Sequence, residues 1–197
     1  MWSIESVANR VEPHKINEIT LHKKRVSSIH KIGEKAVSTG HDGCVKLVNL
    51  DNIQKRSFTV CELPISCSAL YDIKTIIAGS YDQKLYLYSL ANGRTIETIH
   101  AHDDAISCCE YMDNLTLIAS GSWDNSVKIW DLRANKIKPV SMFEDHEEQI
   151  TCMTSCDSYN LITGDKDGRV IIRDMRETHS ILSEFQTDAY LSGIANS

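Results

Sequence analysis

Two histidine–carboxylate runs are the groups in this chain best suited to hold a metal or move a proton. They are His102-Asp103-Asp104 and Asp145-His146-Glu147-Glu148. Cys152 and Cys156 add a C-x3-C pair, and Asp165-Lys166-Asp167-Gly168 has the opening of a calcium loop. Each chemistry makes further demands. Zinc asks for three or four converging ligands, and the chain has neither H-E-x-x-H nor a pair of C-x-x-C motifs. A calcium loop asks for a glutamate at its twelfth position, where this chain has Arg176. Phosphate-loop, dinucleotide and G-x-S-x-G motifs are missing too, and no cysteine lies in a catalytic signature. The expectation is a chain with no catalytic, metal or cofactor site.

The two histidine runs occupy matching places in a repeat. Each precedes an apolar stretch, then a tight turn opened by aspartate. Four such turns occur, in STGHDGCVKLVNL (38–50), AGSYDQKLYLYSL (78–90), GSWDNSVKIWDL (121–132) and TGDKDGRVIIRDM (163–175). The turn aspartates Asp42, Asp82, Asp124 and Asp167 are 40, 42 and 43 residues apart. A period of about 40–45 residues with a Trp-Asp pair, here Trp130-Asp131, marks an array of four-stranded propeller blades.

The third repeat shows the elements most clearly. Short β-prone stretches at 94–99, 106–111, 115–121 and 127–130 are separated by polar turns, which reads as all-β. Val127 and Ile129 point one way and Trp130 the other, as in a strand packed on both faces. The fold expected is a partial β-propeller of about four four-stranded blades plus the start of a fifth. Residues 1–21 are a lead-in with the first outer strand. The repeats fall near 22–50, 61–90, 100–132 and 144–175, with a remnant at 181–197, where Ala189–Ile194 reads as an opening strand. The chain is expected to be part of a longer propeller.

This pattern resembles the WD-repeat family. In that family a histidine, a serine or threonine, an aspartate and a tryptophan form a hydrogen-bonded tetrad within each blade. The resemblance assigns it to His102, Ser122, Asp124 and Trp130. The other repeats are degenerate. The first keeps His22 and Asp42, with Gly40 and Val48 in the remaining places. The second keeps Ser80 and Asp82, has Tyr88 for tryptophan and no histidine. The fourth keeps His146 and Asp167, with Asp165 for serine and Arg173 for tryptophan. The run YDQKLYLYSLANGRTIETIHAHDDAIS followed by SGSWDNSVKIWDL is similar to the C-terminal WD repeats of BEACH-domain proteins. That similarity implies a non-enzymatic adaptor linking membrane-associated signalling or trafficking partners, with a BEACH domain in the same longer chain as one partner. The alternative is a structural or regulatory WD-repeat subunit of an unrelated complex.

Composition narrows the partners. The net charge of −6 argues against a general nucleic-acid binder. No run of 18 apolar residues is present to span a membrane. The first residues lack the apolar core of a signal peptide, and seven cysteines without one suggest reduced thiols in the cytoplasm. Proteins are the expected partners. Repeat-equivalent turns should share one face, basic at Lys23 and Arg25, acidic at Asp104. His41, Tyr81, Trp123 and Lys166, each preceding a turn aspartate, should lie on it, with Tyr81 and Trp123 as anchors.

Overall fold

A computed structural model describes residues 20–133, 138–157, 159–176 and 180–188, together with 191 and 193. Among the described residues every regular element is a strand. The first sheet holds β1 (Val26–Ile32), β2 (Lys35–Gly40), β3 (Cys44–Asn49) and β4 (Lys55–Thr59). The second holds β5 (Ile65–Asp72), β6 (Thr75–Ser80), β7 (Lys84–Ser89) and β8 (Arg94–His100). The third holds β9 (Ile106–Met112), β10 (Leu117–Ser122), β11 (Val127–Asp131) and β12 (Ser141–Phe143). The fourth holds β13 (Ile150–Cys156), β14 (Asn160–Asp165), β15 (Arg169–Asp174) and β16 (Ser180–Gln186). Each is an antiparallel meander in chain order, and the first strands β1, β5, β9 and β13 are neighbours in that sequence. These are four propeller blades.

The core lies between blades rather than within them. Leu85, Leu87 and Ile99 of the second blade pack against Cys109, Ile118 and Trp130 of the third. Ala119, Val127, Ile129 and Phe143 on the third blade's other face meet Ile150, Met153 and Leu161 of the fourth. A third cluster joins Val37, Val45 and Leu47 to Ile65, Ile76 and Tyr86. Val127 and Ile129 thus face one neighbour and Trp130 the other, as alternation requires. Close approach is part of the design. A Cβ on Gly121 would sit 2.6 Å from Ile150 Cγ2, so glycine lets the third and fourth blades touch.

The turn after the second strand of each blade puts one residue in the left-handed region. These are Gly43, Gln83, Asn125 and Gly168, each directly after the repeat aspartate. At Gly43 a side chain would also strike the Cys61 carbonyl oxygen at 2.1 Å, so only glycine fits.

Two expectations shift. The strand at 94–99 closes the second blade, so sequence repeat and blade are offset by one strand. Residues 181–186 likewise belong to β16, the outer strand of the fourth blade, because they pair with β15 rather than opening a fifth sheet. Of the opening strand expected at Ala189–Ile194, only residues 191 and 193 are described. The 1–21 lead-in lies outside the described residues apart from Thr20 and Leu21.

Candidate functional site

In the third blade the histidine before β9 reaches back over the β10–β11 turn. His102 Nδ1 lies 2.9 Å from Asp124 Oδ2 and Nε2 lies 2.8 Å from Ser120 Oγ. Trp130 Nε1 donates to Ser120 Oγ at 2.9 Å. One proton assignment satisfies every atom. The indole N–H donates to the serine oxygen, the serine O–H donates to Nε2, and Nδ1–H donates to the carboxylate. Asp124 also accepts from the Asp103 and Ser126 backbone N–H groups and from the Ser126 hydroxyl. His102 is 1% exposed, and both its nitrogens are occupied, which leaves none for a metal.

The hydroxyl in this network is therefore Ser120, not Ser122. Both lie on one face of β10, so alternation alone does not separate them. Trp130 stands opposite Ile118 in the ladder, which puts Ser120 one diagonal step from the indole and Ser122 two steps away. Ser122 has another task. Its hydroxyl donates to the Ala105 carbonyl and accepts from Asp124 N–H, bracing the turn.

The same register corrects two other blades. In the first, His22 bonds Asp42 at 2.7 Å and Ser38 at 2.8 Å. Ser38, not Gly40, takes the serine place, so only the tryptophan is lost. In the fourth, His146 bonds Asp165 at 2.8 Å and Thr163 at 2.9 Å. The carboxylate has moved two residues earlier, to the place of Ser122, and Asp167 is exposed. Asp165 also accepts from the Asp167 and Arg169 N–H groups, doing the work of both Ser122 and Asp124. Arg173, in the tryptophan place, is buried and lies 4.0 Å over the Phe143 ring while pairing with Asp145. The second blade has Cys61 where the histidine would be. Its N–H bonds Gly43 O, as His102 N–H bonds Gln83 O. Tyr86 fills the gap, donating to Asp82 at 2.5 Å. Cys61 thus lies in a connection rather than a strand, and burial raises its thiol pKa.

A fifth participant was legible but unread. Four residues after the working aspartate a cation donates to the carbonyl preceding the histidine. Lys46 reaches Leu21 O, Lys128 reaches Ala101 O and Arg169 reaches Asp145 O. Asp165 and Arg169 keep this spacing, whereas Asp167 is followed at that distance by Ile171. Among the described residues no buried side-chain nitrogen or oxygen lacks a partner.

These networks set the response to acid. Burial alone would raise the Asp42 pKa, but hydrogen bonds from His22, the Lys23 N–H and Lys46 outweigh it and hold the carboxyl at about 2. Asp124 is depressed further, its burial outweighed chiefly by His102 and Ser126. A depressed carboxyl stabilises the fold above its unfolded value, about 3.9, and that stability is lost as pH falls through the folded value. His146 is lowered by burial, so protonation opposes folding once pH drops below about 6.5. The melting temperature should therefore decline below about pH 6.5 and fall steeply between about pH 4 and 2. Calorimetry across that range checks this, and a flat profile below pH 4 contradicts it.

The turn residues gather at one end of the array. His41 and Tyr81 ring centroids are 5.7 Å apart, and Tyr81 and Trp123 are 5.1 Å apart. This row spans three blades. With Arg25 it lines a cavity of about 200 Å³ whose floor carries Ser27, Ser66, Ser107 and Thr151. Trp123 is 37% exposed. The backbone fixes the row, since the N–H groups of His41, Tyr81, Trp123 and Lys166 each bond the connection leading into their blade. Lys23, Asp104 and Lys166 are exposed but stand outside the cavity lining. His41 is disfavoured as a cation, first by burial and then by Arg25 and Lys24.

The floor was missed in the sequence. Ser66, Ser107 and Thr151 each stand between isoleucine and cysteine, an I-[ST]-C signal repeated at 41 and 44 residues. Each, like Ser27, falls at a register shift of its first strand. A bulged residue is free of the ladder and can turn its side chain elsewhere. Ser66 and Ser107 donate across to the next blade's Ile106 and Ile150 carbonyls.

Four-stranded blades, one of them pinned by a complete His–Ser–Asp–Trp network, define a WD-repeat β-propeller, and the chain carries WD40 repeats. The family model "WD domain, G-beta repeat" matches residues 93–131 and 137–174. The chain is similar to WD repeat-containing protein 37 of Mus musculus, 23% identical over 121 residues, covering 61% of this chain and 24% of that protein. It is also similar to BEACH domain-containing protein B of Arabidopsis thaliana, 27% identical over 130 residues, covering 55% of this chain and 5% of that one. Both relatives are far longer than the segment they share with it. A chain in a crystal structure of the mitotic checkpoint complex superposes with a TM-score of 0.77 at 18% identity, covering 88% of this chain and 57% of that chain.

Proposed function

We propose that this chain is the docking part of a non-enzymatic scaffold, and that the face bearing His41, Tyr81, Trp123 and Arg25 holds its protein partner. Propellers of this class serve generally as protein-interaction scaffolds. The observation that carries the reading is the aromatic row over one cavity, built on turns whose backbone N–H groups bond the connections leading into their blades. Rigid aromatic anchors bind at low entropic cost. Lys23 and Arg25 at one end of the row, with Asp104, Glu147 and Glu148 towards the other, would orient a partner and speed its encounter. The BEACH-type similarity suggests an adaptor in the cytoplasm, with a BEACH domain as an intramolecular partner. Among the described residues no helix is long and apolar enough to cross a membrane.

The test is affinity capture from cytosol, with a separate binding measurement on a BEACH domain. Wild type is compared with Tyr81→Ala/Trp123→Ala and with charge reversal at Lys23 and Arg25. Truncating a true anchor should cost about 2 kcal/mol or more, enough to lose the partners in a pull-down. If both variants fold and keep every partner, the binding face is elsewhere.

A further inference from the structure

A second cavity opens at the opposite end of the blades, between the first and second. It measures about 280 Å³, with Leu47 and Leu90 in its floor and Lys35, Arg56, Ile73 and Lys74 around it. An adjoining hollow of about 190 Å³ shares Lys35, Leu47 and Arg56 and extends the groove along the outer part of the first blade. Ile73 is 72% exposed. An apolar side chain left in water at the lip of an apolar floor marks a surface suited to covering.

The charges around this groove share one sign. No carboxylate lines the larger cavity, and among the described residues none forms an ion pair with Lys35, Arg56 or Lys74. Glu34 adjoins Lys35 and Asp72 lies two residues before Lys74, but neither lines the cavity, and Asp72 accepts from the Lys74 backbone N–H, capping its own hairpin. The second blade folds with other residues in two of these places. The positions matching Lys35 and Arg56 in the second blade's register are Thr75 and Glu97. Arg56 is already held in place. It lies 4.8 Å over the Phe58 ring and points towards the Leu90 and Ala91 carbonyls at 3.5 and 3.4 Å. In a chain with a net charge of −6, three cations around an apolar slot, without an ion-pair partner among the described residues, are a local reversal.

From this we infer that the groove binds an extended acidic peptide segment of a protein partner, with an apolar side chain on the Leu47–Leu90 floor and flanking carboxylates on Lys35, Arg56 and Lys74. A membrane surface fits less well. The apolar floor is recessed between two blades, where an extended chain can enter and a lipid headgroup plane cannot. This site is independent of the aromatic face and lies at the other end of the strands.

The probe is a short fluorescein-labelled peptide of alternating glutamate and leucine, read by anisotropy, beside its lysine–leucine counterpart. Vesicles of phosphatidylserine and phosphatidylcholine form a separate arm. The acidic peptide should bind in a salt-sensitive way and the basic one should not. Lys35→Glu/Lys74→Glu removes two attractions and adds two repulsions, and should weaken binding by about tenfold. Circular dichroism establishes that this surface variant is folded. Tyr81→Ala/Trp123→Ala should leave peptide binding unchanged, which separates this site from the aromatic face. The proposal is overturned if the acidic peptide does not bind, if the reversal variant binds it equally well, or if anionic vesicles bind through these lysines and the peptide does not.

Discussion

Asp124→Ala is expected to lower the unfolding free energy by about 3 kcal/mol, because it strands several buried donors at once. The carboxylate takes protons from His102 Nδ1, the Asp103 and Ser126 backbone N–H groups and the Ser126 hydroxyl. His102 has no water to turn to, since its side chain is fully enclosed. Asp124→Asn keeps an acceptor and should cost less. Denaturant midpoints of the three proteins give the comparison. The double variant His102→Ala/Asp124→Ala adds a second test. If the two residues act as one unit, the pair should cost clearly less than the sum of the singles. Additive costs would mean that the imidazole and carboxylate contribute separately, and the network reading would fail.

Much of the fold was legible because a propeller repeats its local rules. The turn aspartates, the apolar strands and the period come from each blade's own sequence. The tryptophan's direction follows from strand alternation, and Trp130 does face the second blade while Val127 and Ile129 face the fourth. The less legible features depend on where two strands lie along each other. Ser120 and Ser122 share a face and a chemistry, and only the pairing of Trp130 with Ile118 separates them. The same ambiguity hid Ser38 behind Gly40. The ring of bulged hydroxyls escaped for a related reason. A bulge breaks alternation, so a pattern search of period two treats it as noise, although I-[ST]-C recurs in three blades. The aromatic row was foreseen as sharing a face, because repeat-equivalent turns are stacked by the array. That His41, Tyr81 and Trp123 touch in series, and that Lys23, Asp104 and Lys166 stand apart from their cavity, depends on side-chain directions that spacing does not carry.

The fourth blade gives the sharpest contrast between sequence and register. Aligned on the turn, Asp167 is the counterpart of Asp124; in the structure the histidine's partner is Asp165. The two residues are therefore expected to respond very unequally to the same substitution. Asp165→Ala removes a carboxylate that is 2% exposed and leaves His146 Nδ1 and the Asp167 and Arg169 N–H groups unpaired. It should cost about 3 kcal/mol. Asp167 is exposed, and its carbonyl rather than its side chain accepts from Gln186. Asp167→Ala should stay within about 0.5 kcal/mol of wild type. Urea titrations of the two variants settle which aspartate works, because their midpoints should differ by far more than the error of the measurement. Equal losses would mean that His146 shares its proton between both carboxylates. A larger loss at Asp167 would restore the alignment-based assignment and put the fourth blade back in step with the third.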